Sequence, residues 1–336
     1  MKMLIFDFRE SEQEFFANNE FTDYELTFIK EPLNELTKLS EEQWNETDIV
    51  SVFINSNVTE NVIKKFKNLR IIATRSTGYN HIDLKYCTQS NIAVFNVEQY
   101  GQTAVAQYTM GLILALVRNI LPAYLDVQKN LVHHPSYEGR NLNKLKLGIV
   151  GCGAIGCGVA KLAHAFGMKI LIHTIAKRQD LGAFVEYVTF DELLEQSDVI
   201  SLHVPYSDET YHLLDKDEFK KMKKGVYIVN TARGELINTM ELYENLIDKK
   251  VSGAALDVLE CEHLSINNQS PEDLKTSDSK CVTNALINEK LLSLNNVIIT
   301  PHIGYNTKES VDLLLETTFN NIRDYSKGIH DNRVCW

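Results

Sequence analysis

A glycine-rich turn between an apolar strand and a helix is the feature that most constrains this chain. Residues 147–156 read LGIVGCGAIG, so Gly151, Gly153 and Gly156 form a GxGxxG pattern directly after an apolar run. The first glycine permits a tight turn, the second lets a pyrophosphate approach the backbone, and the third lets the helix pack closely on the strand. The amide groups of the following helix, predicted over residues 154–166, would point at the phosphates. The pattern therefore predicts a dinucleotide-binding βαβ unit and disfavours a glycine turn without a ligand.

The end of the next strand bears on which dinucleotide is bound. Sites specific for NAD place a carboxylate there, where it accepts hydrogen bonds from the ribose 2′-hydroxyl. In this chain the position holds Thr174, and the cations Lys177 and Arg178 follow it. These groups could hold a 2′-phosphate, which a carboxylate would repel. We therefore expect NADP(H) to be favoured, with NAD(H) possible. The alternative is that both cations are solvated loop charges and that NAD binds.

Length, charge and cysteine content narrow the class of protein. The chain has 336 residues, more than one ordinary domain, and its formal net charge of −11 argues against nucleic acid as a partner. No apolar run reaches the roughly 18 residues that a membrane helix needs, so no membrane partner is expected. The six cysteines form no CxxC pair, and we interpret all of them as reduced thiols of a cytoplasmic protein. His133 and His134 lack a third ligand, so no metal is expected.

Short apolar runs alternate with amphipathic stretches, which predicts two doubly wound parallel α/β domains. The expected strands are residues 3–6, 49–53, 70–74 and 93–96 in a first series, and 147–150, 170–173, 199–203, 226–230, 254–256 and 297–300 in a second. Residues 103–127 are apolar nearly all round and predict one long buried helix. Residues 265–284 are polar and aperiodic, which predicts a surface excursion. Residues 308–326 predict an amphipathic helix that packs on the first domain.

Three polar side chains follow strands of the second series and together suit the reduction of a 2-keto acid. That reaction needs a cation for the substrate carboxylate and a proton donor for the carbonyl oxygen, beside a nicotinamide. Arg233, in NTARG, has a planar fork that matches a carboxylate. His302, in ITPHIGY, is the usual type of proton donor near neutral pH, and Glu262 would stabilise its imidazolium and fix its orientation. His203 also ends a strand and is a rival acid/base.

The glycine turn, NTARG, ALDVLECE and ITPHIGY together resemble the D-isomer-specific 2-hydroxyacid dehydrogenases, and the resemblance covers almost the whole chain. It implies that Arg233, Glu262 and His302 form the catalytic set. It also implies that the loop RSTGYNHID binds the substrate carboxylate through backbone amides, for which a glycine provides the tight backbone. The substrate-binding residues that it implies are Thr77, Gly78, Tyr100 and the aromatic wall residue Phe53. The predicted cofactor-lining residues are Gly151, Gly153, Ala154, Ile155, Gly156, Thr174, Lys177, Arg178, His203, Val204, Pro205, Thr231, Ala232, Asp257 and Gly304.

The resemblance also implies an architecture and a reaction. A Rossmann cofactor domain, residues 100–304, is expected to be inserted into a flavodoxin-like substrate domain formed by residues 1–99 and 305–336, in a homodimer. The subgroup that the chain resembles most is the D-lactate dehydrogenases, including the vancomycin-resistance type, which implies reduction of pyruvate to D-lactate. The alternatives are a glyoxylate or hydroxypyruvate reductase of the same fold, and a nucleotide-sensing protein like the corepressors that share it. Glu98 and Gln107 depart from the family pattern outside the catalytic set.

Overall fold

The computed structural model describes residues 1–130, 137–264, 278–329 and 331–335. Internal contacts divide the chain into two compact units, which are Met1–Tyr100 with Asn306–Trp336, and Gly101–Tyr305. Each boundary lies one residue from the boundary expected from the sequence. Both units are built on largely parallel sheets with helices between the strands, so the predicted fold class of two α/β units is confirmed.

Six strands form the sheet of the first unit. They are β1 (Lys2–Ile5), β2 (Glu25–Phe28), β3 (Ile49–Val52), β4 (Ile71–Thr74), β5 (Ala93–Phe95) and β13 (Arg333–Cys335). The order β2-β1-β3-β4-β5 is parallel throughout and is the flavodoxin-like order, while β13 runs antiparallel along β5. Strands β3 and β4 are buried along their whole length, which explains their largely apolar sequence. The edge strands β2 and β13 were not predicted, because β2 is only half covered and β13 has 3 residues.

Helices of the first unit cover both faces of this sheet. They are α1 (Gln13–Asn18), α2 (Glu41–Glu46), α3 (Glu60–Ile63), α4 (Leu84–Gln89) and α12 (Lys308–Tyr325). Successive side chains of a strand point to opposite faces, so Leu4 packs in the cluster of α3 and Met3 in the cluster of α12. Phe319 and Ile322 of α12 are buried in that second cluster. The C-terminal helix therefore belongs to the core of the first unit, where the sequence placed it.

Seven strands form a fully parallel sheet in the second unit. They are β6 (Lys146–Val150), β7 (Lys169–His173), β8 (Val185–Tyr187), β9 (Val199–Leu202), β10 (Val226–Asn230), β11 (Val251–Leu256) and β12 (Val297–Ile299). Their order β8-β7-β6-β9-β10-β11-β12 is the Rossmann order extended by one strand. The helices are α5 (Gln102–Val117), α6 (Ile120–Gln128), α7 (Ala154–Ala165), α8 (Phe190–Gln196), α9 (Lys216–Lys221), α10 (Thr239–Ile247) and α11 (Ser279–Leu292). The switch in strand order lies between β6 and β9, where such sheets bind ligands.

The prediction of one long buried helix over residues 103–127 is wrong in its second half. The helix breaks at Asn119, which has a φ of 50°, and α5 and α6 meet at an angle of 67°. Helix α5 is largely buried, but α6 exposes Ile120, Tyr124, Leu125 and Val127. Asparagine tolerates this left-handed backbone better than most residues, which explains the position of the break. Among the described residues, no single helix is long and apolar enough to cross a membrane, and α5 with α6 meets that test only as a bent pair.

The prediction that every cysteine is reduced is wrong for two of them. Cys261 and Cys281 form a disulfide with their Cα atoms 5.4 Å apart, a separation that suits such a bond. Sequence spacing did not reveal the pair, because only the fold brings the N-terminal turn of α11 against the loop after β11. Free, buried thiols are found at Cys87, Cys152, Cys157 and Cys335.

The predicted surface excursion over residues 265–284 is contradicted at its C-terminal end, where α11 begins at Ser279. Helix α11 buries Asn284, Ala285 and Ile287, although its sequence is rich in polar residues. Tertiary packing has therefore overridden a weak local pattern. Residues 265–277 lie outside the described part of the chain, as do His133 and His134.

Candidate active site

The glycine turn has the backbone that its sequence predicts. Gly151 has a φ of +90°, and a side chain at Gly156 would place its Cβ 2.1 Å from the carbonyl oxygen of Gly151. Both positions therefore require glycine. A Cβ at Gly153 would meet nothing within 4 Å, so the space beside this residue is open. Helix α7 begins at the next residue, Ala154, so the free amides of its first turn lie next to Gly153, at the end of the helix that suits a pyrophosphate.

The end of β7 carries the cations that the sequence singled out, and each already has a partner. The Arg178 Nε donates a hydrogen bond to Asp180 Oδ1 at 3.1 Å, and the Lys177 ammonium lies 5.4 Å from the centre of the Tyr187 ring. The hydrogen bonds from Arg178 and Lys161 lower the pKa of the Asp180 carboxyl to about 2. Asp180, which the sequence pattern did not single out, places one carboxylate beside the cationic loop, although Thr174 itself carries none.

His203 lies at the end of β9, directly beneath the glycine turn. Its Nε2 is 2.8 Å from the Ser201 hydroxyl, and a Cβ at Gly151 would meet its carbonyl oxygen at 2.6 Å. Burial lowers the pKa of His203 to about 4, so its ring is neutral at pH 7. A neutral imidazole is a poor proton donor, which argues against His203 as the rival acid/base and for a packing role under the turn.

His302 and Glu262 come together although they are far apart in the sequence. The His302 Nδ1 lies 2.8 Å from Glu262 Oε1, and both side chains are about one third exposed. His302 follows β12 and has a φ of 54°, and its backbone N–H donates to the carbonyl oxygens of Asp257 and Thr300. A carboxylate on Nδ1 keeps the proton of that nitrogen in place and directs Nε2 toward a substrate. The pair has the geometry of a histidine acid/base with an orienting carboxylate.

Asp257 holds the loop that carries His302. Its carboxylate accepts hydrogen bonds from the Thr300 hydroxyl at 2.5 Å, from the Ile303 N–H at 3.0 Å and from the Gly304 N–H at 2.8 Å. The side chain is buried, and burial raises the pKa of Asp257. The resemblance placed this residue near the nicotinamide, and the structure adds a positioning role toward His302.

Arg233 lies in a loop that is tied to the end of β10. Asn230 accepts a hydrogen bond from the Ala232 N–H and donates one to the Arg233 carbonyl oxygen, at 3.0 and 2.8 Å. The next residue, Gly234, packs so tightly that a Cβ would lie 2.0 Å from the carbonyl carbon of Leu259. The Arg233 loop therefore lies directly against the segment that leads to Glu262. The remaining predicted cofactor-lining residues, Ile155, Val204, Pro205, Thr231 and Ala232, lie in α7 or follow β9 and β10.

The predicted substrate-binding residues lie in the first unit, at the carboxyl ends of its strands. The loop after β4 is ordered by hydrogen bonds: the Thr77 hydroxyl donates to the Val97 carbonyl oxygen at 2.9 Å, and the Ser76 hydroxyl donates to the Gly78 carbonyl oxygen at 2.6 Å. Phe53 is buried, with the Arg9 guanidinium 4.5 Å from the centre of its ring. Tyr100 is the last residue of this unit before α5 and is half-buried. No sequence motif indicated Arg9.

Comparison with known proteins gives a family match over most of the second unit. Residues 110–304 match the family model described as D-isomer specific 2-hydroxyacid dehydrogenase, NAD binding domain. An aromatic 2-oxoacid reductase of Clostridium sporogenes is 36% identical over 293 residues, which cover 86% of each chain. A hydroxypyruvate reductase of Thermotoga maritima is 40% identical over 266 residues, which cover 79% of this chain and 80% of the relative.

Among solved structures, the D-lactate dehydrogenase of Aquifex aeolicus, complexed with NAD and lactic acid, has a TM-score of 0.85 and 35% identity, and the match covers 99% of each chain. The family model spans more than half of the chain, and the relatives align with both of its units. The second unit is the NAD-binding domain of that family. The chain therefore belongs to the D-isomer-specific 2-hydroxyacid dehydrogenases, a family of oxidoreductases.

Proposed function

We propose that this enzyme reduces a small 2-keto acid to the D-2-hydroxy acid, with pyruvate to D-lactate as its preferred reaction. The observation that carries the proposal is the 2.8 Å contact between His302 Nδ1 and Glu262 Oε1. It supplies an oriented proton donor at the same sheet edge as a glycine turn built for a dinucleotide. The similarity to a D-lactate dehydrogenase complexed with lactic acid over 99% of the chain supports pyruvate as the substrate.

Each residue of the site then has a defined task. A bound reduced nicotinamide supplies the hydride that the keto carbon accepts. The His302 Nε2 delivers a proton to the carbonyl oxygen as that carbon is reduced, and Glu262 stabilises the imidazolium before the transfer. The Arg233 guanidinium binds the substrate carboxylate and polarises the carbonyl. Hydride and proton together account for both hydrogens that the product gains.

A substrate panel tests the choice of substrate. Initial rates with pyruvate, 2-ketobutyrate, phenylpyruvate, hydroxypyruvate and glyoxylate give kcat/KM for each keto acid. We expect pyruvate to have the highest value. Hydroxypyruvate reductase is the second candidate, because a relative of that name is 40% identical. A clear preference for hydroxypyruvate or glyoxylate would replace the first proposal by the second, and absence of turnover with all five would reject both.

We propose that NADP(H) is the preferred cofactor. Support comes from Thr174 in place of a carboxylate at the end of β7 and from Lys177, whose ammonium lies over the aromatic ring of Tyr187. A charge-assisted hydrogen bond to a 2′-phosphate predicts a kcat/KM about tenfold higher with NADPH than with NADH. The Lys177→Ala variant should lose this advantage while its kinetics with NADH stay unchanged. A higher kcat/KM with NADH than with NADPH in the unmodified enzyme would contradict the prediction. It would indicate that the Asp180 carboxylate, rather than Lys177, decides which cofactor is preferred.

The glycine turn allows a matched pair of variants. Gly153→Ala should fold with an unchanged melting temperature, because a Cβ there meets nothing within 4 Å, but the methyl group would occupy the phosphate's space. We expect its cofactor KM to rise about tenfold, which corresponds to about 1.4 kcal/mol. Gly156→Ala should instead lower the stability by about 1–3 kcal/mol, because its Cβ overlaps the Gly151 carbonyl oxygen. Equal cofactor kinetics for Gly153→Ala and the parent enzyme would exclude phosphate binding at this turn.

We also propose a cytoplasmic homodimer that forms through α6. The helix exposes Ile120, Tyr124, Leu125 and Val127, an apolar group of the kind that marks contacts between proteins. Light scattering of the purified enzyme should give the mass of two chains, and the double variant Leu125→Glu with Val127→Glu should give the mass of one. Met240→Glu, at an exposed apolar position of α10, is the control and should stay dimeric. A monomeric parent enzyme would remove this proposal.

A further inference from the structure

A disulfide lies next to the catalytic carboxylate in the sequence. Cys261 directly precedes Glu262, and Cys281 lies in the first turn of α11. Both cysteines are half-buried, so a small thiol can reach them, whereas the four free cysteines are fully buried. The bond therefore connects the residue directly before Glu262 to a helix that contributes no residue to the site described above.

The segment before Cys261 is held without the disulfide. The buried Glu260 side chain accepts hydrogen bonds from the Thr239 N–H at 3.1 Å and hydroxyl at 2.6 Å, and its other oxygen lies 2.8 Å from His212 Nε2. The Glu260 carbonyl oxygen accepts a further bond from the Asn288 side chain at 3.0 Å. Residues up to Glu260 are thus fixed by several contacts, so opening the disulfide would release only the residues after it.

Glu262 itself has weaker support. Within the described part of the chain, its carboxylate contacts His302 and accepts a long hydrogen bond from the Leu259 N–H at 3.4 Å. Cys261 has a φ of 55°, in the left-handed region that is unfavourable for residues other than glycine. A covalent bond to α11 opposes the return of Cys261 to a more favourable backbone. Since Glu262 follows it directly, such a return would move the carboxylate relative to His302.

Helix α11 is a firm anchor for this bond. Asn288 is fully buried and holds the helix to the Glu260 backbone, and Lys280 contacts Tyr211 through a hydrogen bond and lies 4.7 Å from the centre of its ring. Tyr211 in turn stacks on His212, the partner of Glu260, with ring centres 4.0 Å apart. Cys281 therefore occupies a fixed position, and the disulfide restrains Cys261 to lie next to it.

We propose that the Cys261–Cys281 disulfide is a positioning element for Glu262 and that its reduction slows turnover; the inference rests on the proposed reductase function. A small dithiol would give two electrons to the protein disulfide, leaving two cysteine thiols and one cyclic disulfide of the reductant. A low-molecular-weight disulfide would reverse the reaction. Disulfides of cytosolic proteins are usually transient and redox-sensing, so this pair would link the rate of keto acid reduction to the thiol state of the cell.

The first measurement counts thiols and needs no activity. Titration of the denatured, unreduced protein with a chromogenic disulfide should find four of the six cysteines free, and all six after dithiol treatment. Kinetics then compare the oxidised and reduced enzyme after removal of the dithiol. We expect reduction to lower kcat about five- to tenfold, which corresponds to about 1–1.4 kcal/mol, with KM for the keto acid changed less than about twofold. The solvent isotope effect on kcat should increase, since proton delivery by His302 becomes slower.

Two variants separate positioning from general destabilisation. Cys281→Ser should have the reduced enzyme's kcat before any treatment and should not respond to dithiol. In the Glu262→Gln background, reduction should change kcat by less than about twofold, because the carboxylate that the disulfide positions is absent. Melting temperatures of all forms, measured at the assay pH, identify any loss of folding.

The outcomes are distinct. Six free thiols in the untreated, air-exposed protein, or equal kcat of the oxidised and reduced parent enzyme, would overturn the inference while leaving the reductase function intact. An undiminished effect of reduction in the Glu262→Gln background would show that the disulfide acts elsewhere and would equally overturn it. Absence of turnover by the oxidised enzyme with every keto acid would instead refute the proposed function.

Discussion

Replacing His302 with alanine is expected to lower kcat for keto acid reduction at least about 10²-fold, with a much smaller change in KM. The reason is that the imidazole donates the proton in the transition state, whereas substrate binding depends on other groups. Its contact with Glu262 at 2.8 Å and the positive φ at residue 302 show that the surrounding structure holds this ring in one orientation. Steady-state rates over a range of keto acid concentrations measure both constants.

The matched control for this variant is His164→Ala. His164 is exposed in the last turn of α7 and stacks on Phe184, so its loss should leave kcat nearly unchanged. Near-normal turnover of His302→Ala would remove the histidine from the mechanism. Partial recovery of its rate by added imidazole would give independent support, because a soluble donor then replaces the missing side chain.

Replacing Arg233 with alanine should lower kcat/KM about 10²- to 10³-fold, or about 3–4 kcal/mol, since the substrate carboxylate loses its charge-assisted, bidentate hydrogen bonds to the guanidinium. In contrast to His302→Ala, this variant should raise KM strongly as well as lower kcat, because the guanidinium binds the carboxylate in both ground state and transition state. The loop that presents it is fixed by Asn230 and by the packing of Gly234, so we expect the loop to keep its position when the side chain is truncated.

Lysine at the same position tests geometry separately from charge. Arg233→Lys keeps the positive charge but loses the planar fork, so its kcat/KM should lie between the parent enzyme and the alanine variant. Arg70→Ala is the control for loss of an arginine, because the Arg70 side chain is 70% exposed and lies 4.0 Å from Asp48. An unchanged KM in Arg233→Ala would show that the substrate carboxylate is bound elsewhere.

Local patterns account for the parts of the fold that could be predicted. The glycine turn followed a β-strand and preceded a helix. Gly151 needs its positive φ and Gly156 needs the space beside the Gly151 carbonyl oxygen, while Gly153 leaves room for a ligand. The strands of both sheets were recognisable because strands buried on both faces need continuous apolar sequence. The strands that were not predicted are β2, β8 and β13. They are short and lie at or next to a sheet edge, where half-exposed side chains show little hydrophobic periodicity.

Contacts between distant segments account for what could not be predicted. The Arg9 guanidinium over Phe53 and the anchoring of Glu260 by Thr239 depend on how the fold brings separate loops together. The Asp180 carboxylate beside Arg178 is a local contact, two residues along the chain, that was overlooked. The break at Asn119 was also missed, because an apolar sequence continues through it. In each case residue type was known in advance, but the partner was not.

The sequence by itself determined most of the strands of both units, the dinucleotide turn and the residue types that serve the reaction, because these depend on periodicity and on steric needs within short segments. Only the tertiary structure decided that His302 meets Glu262, that Asp257 holds the His302 loop and that Cys261 is bonded to Cys281. Such pairs are set by the packing of helices on a sheet, which brings together segments that are far apart in the sequence. Local sequence patterns do not indicate which of these segments will meet.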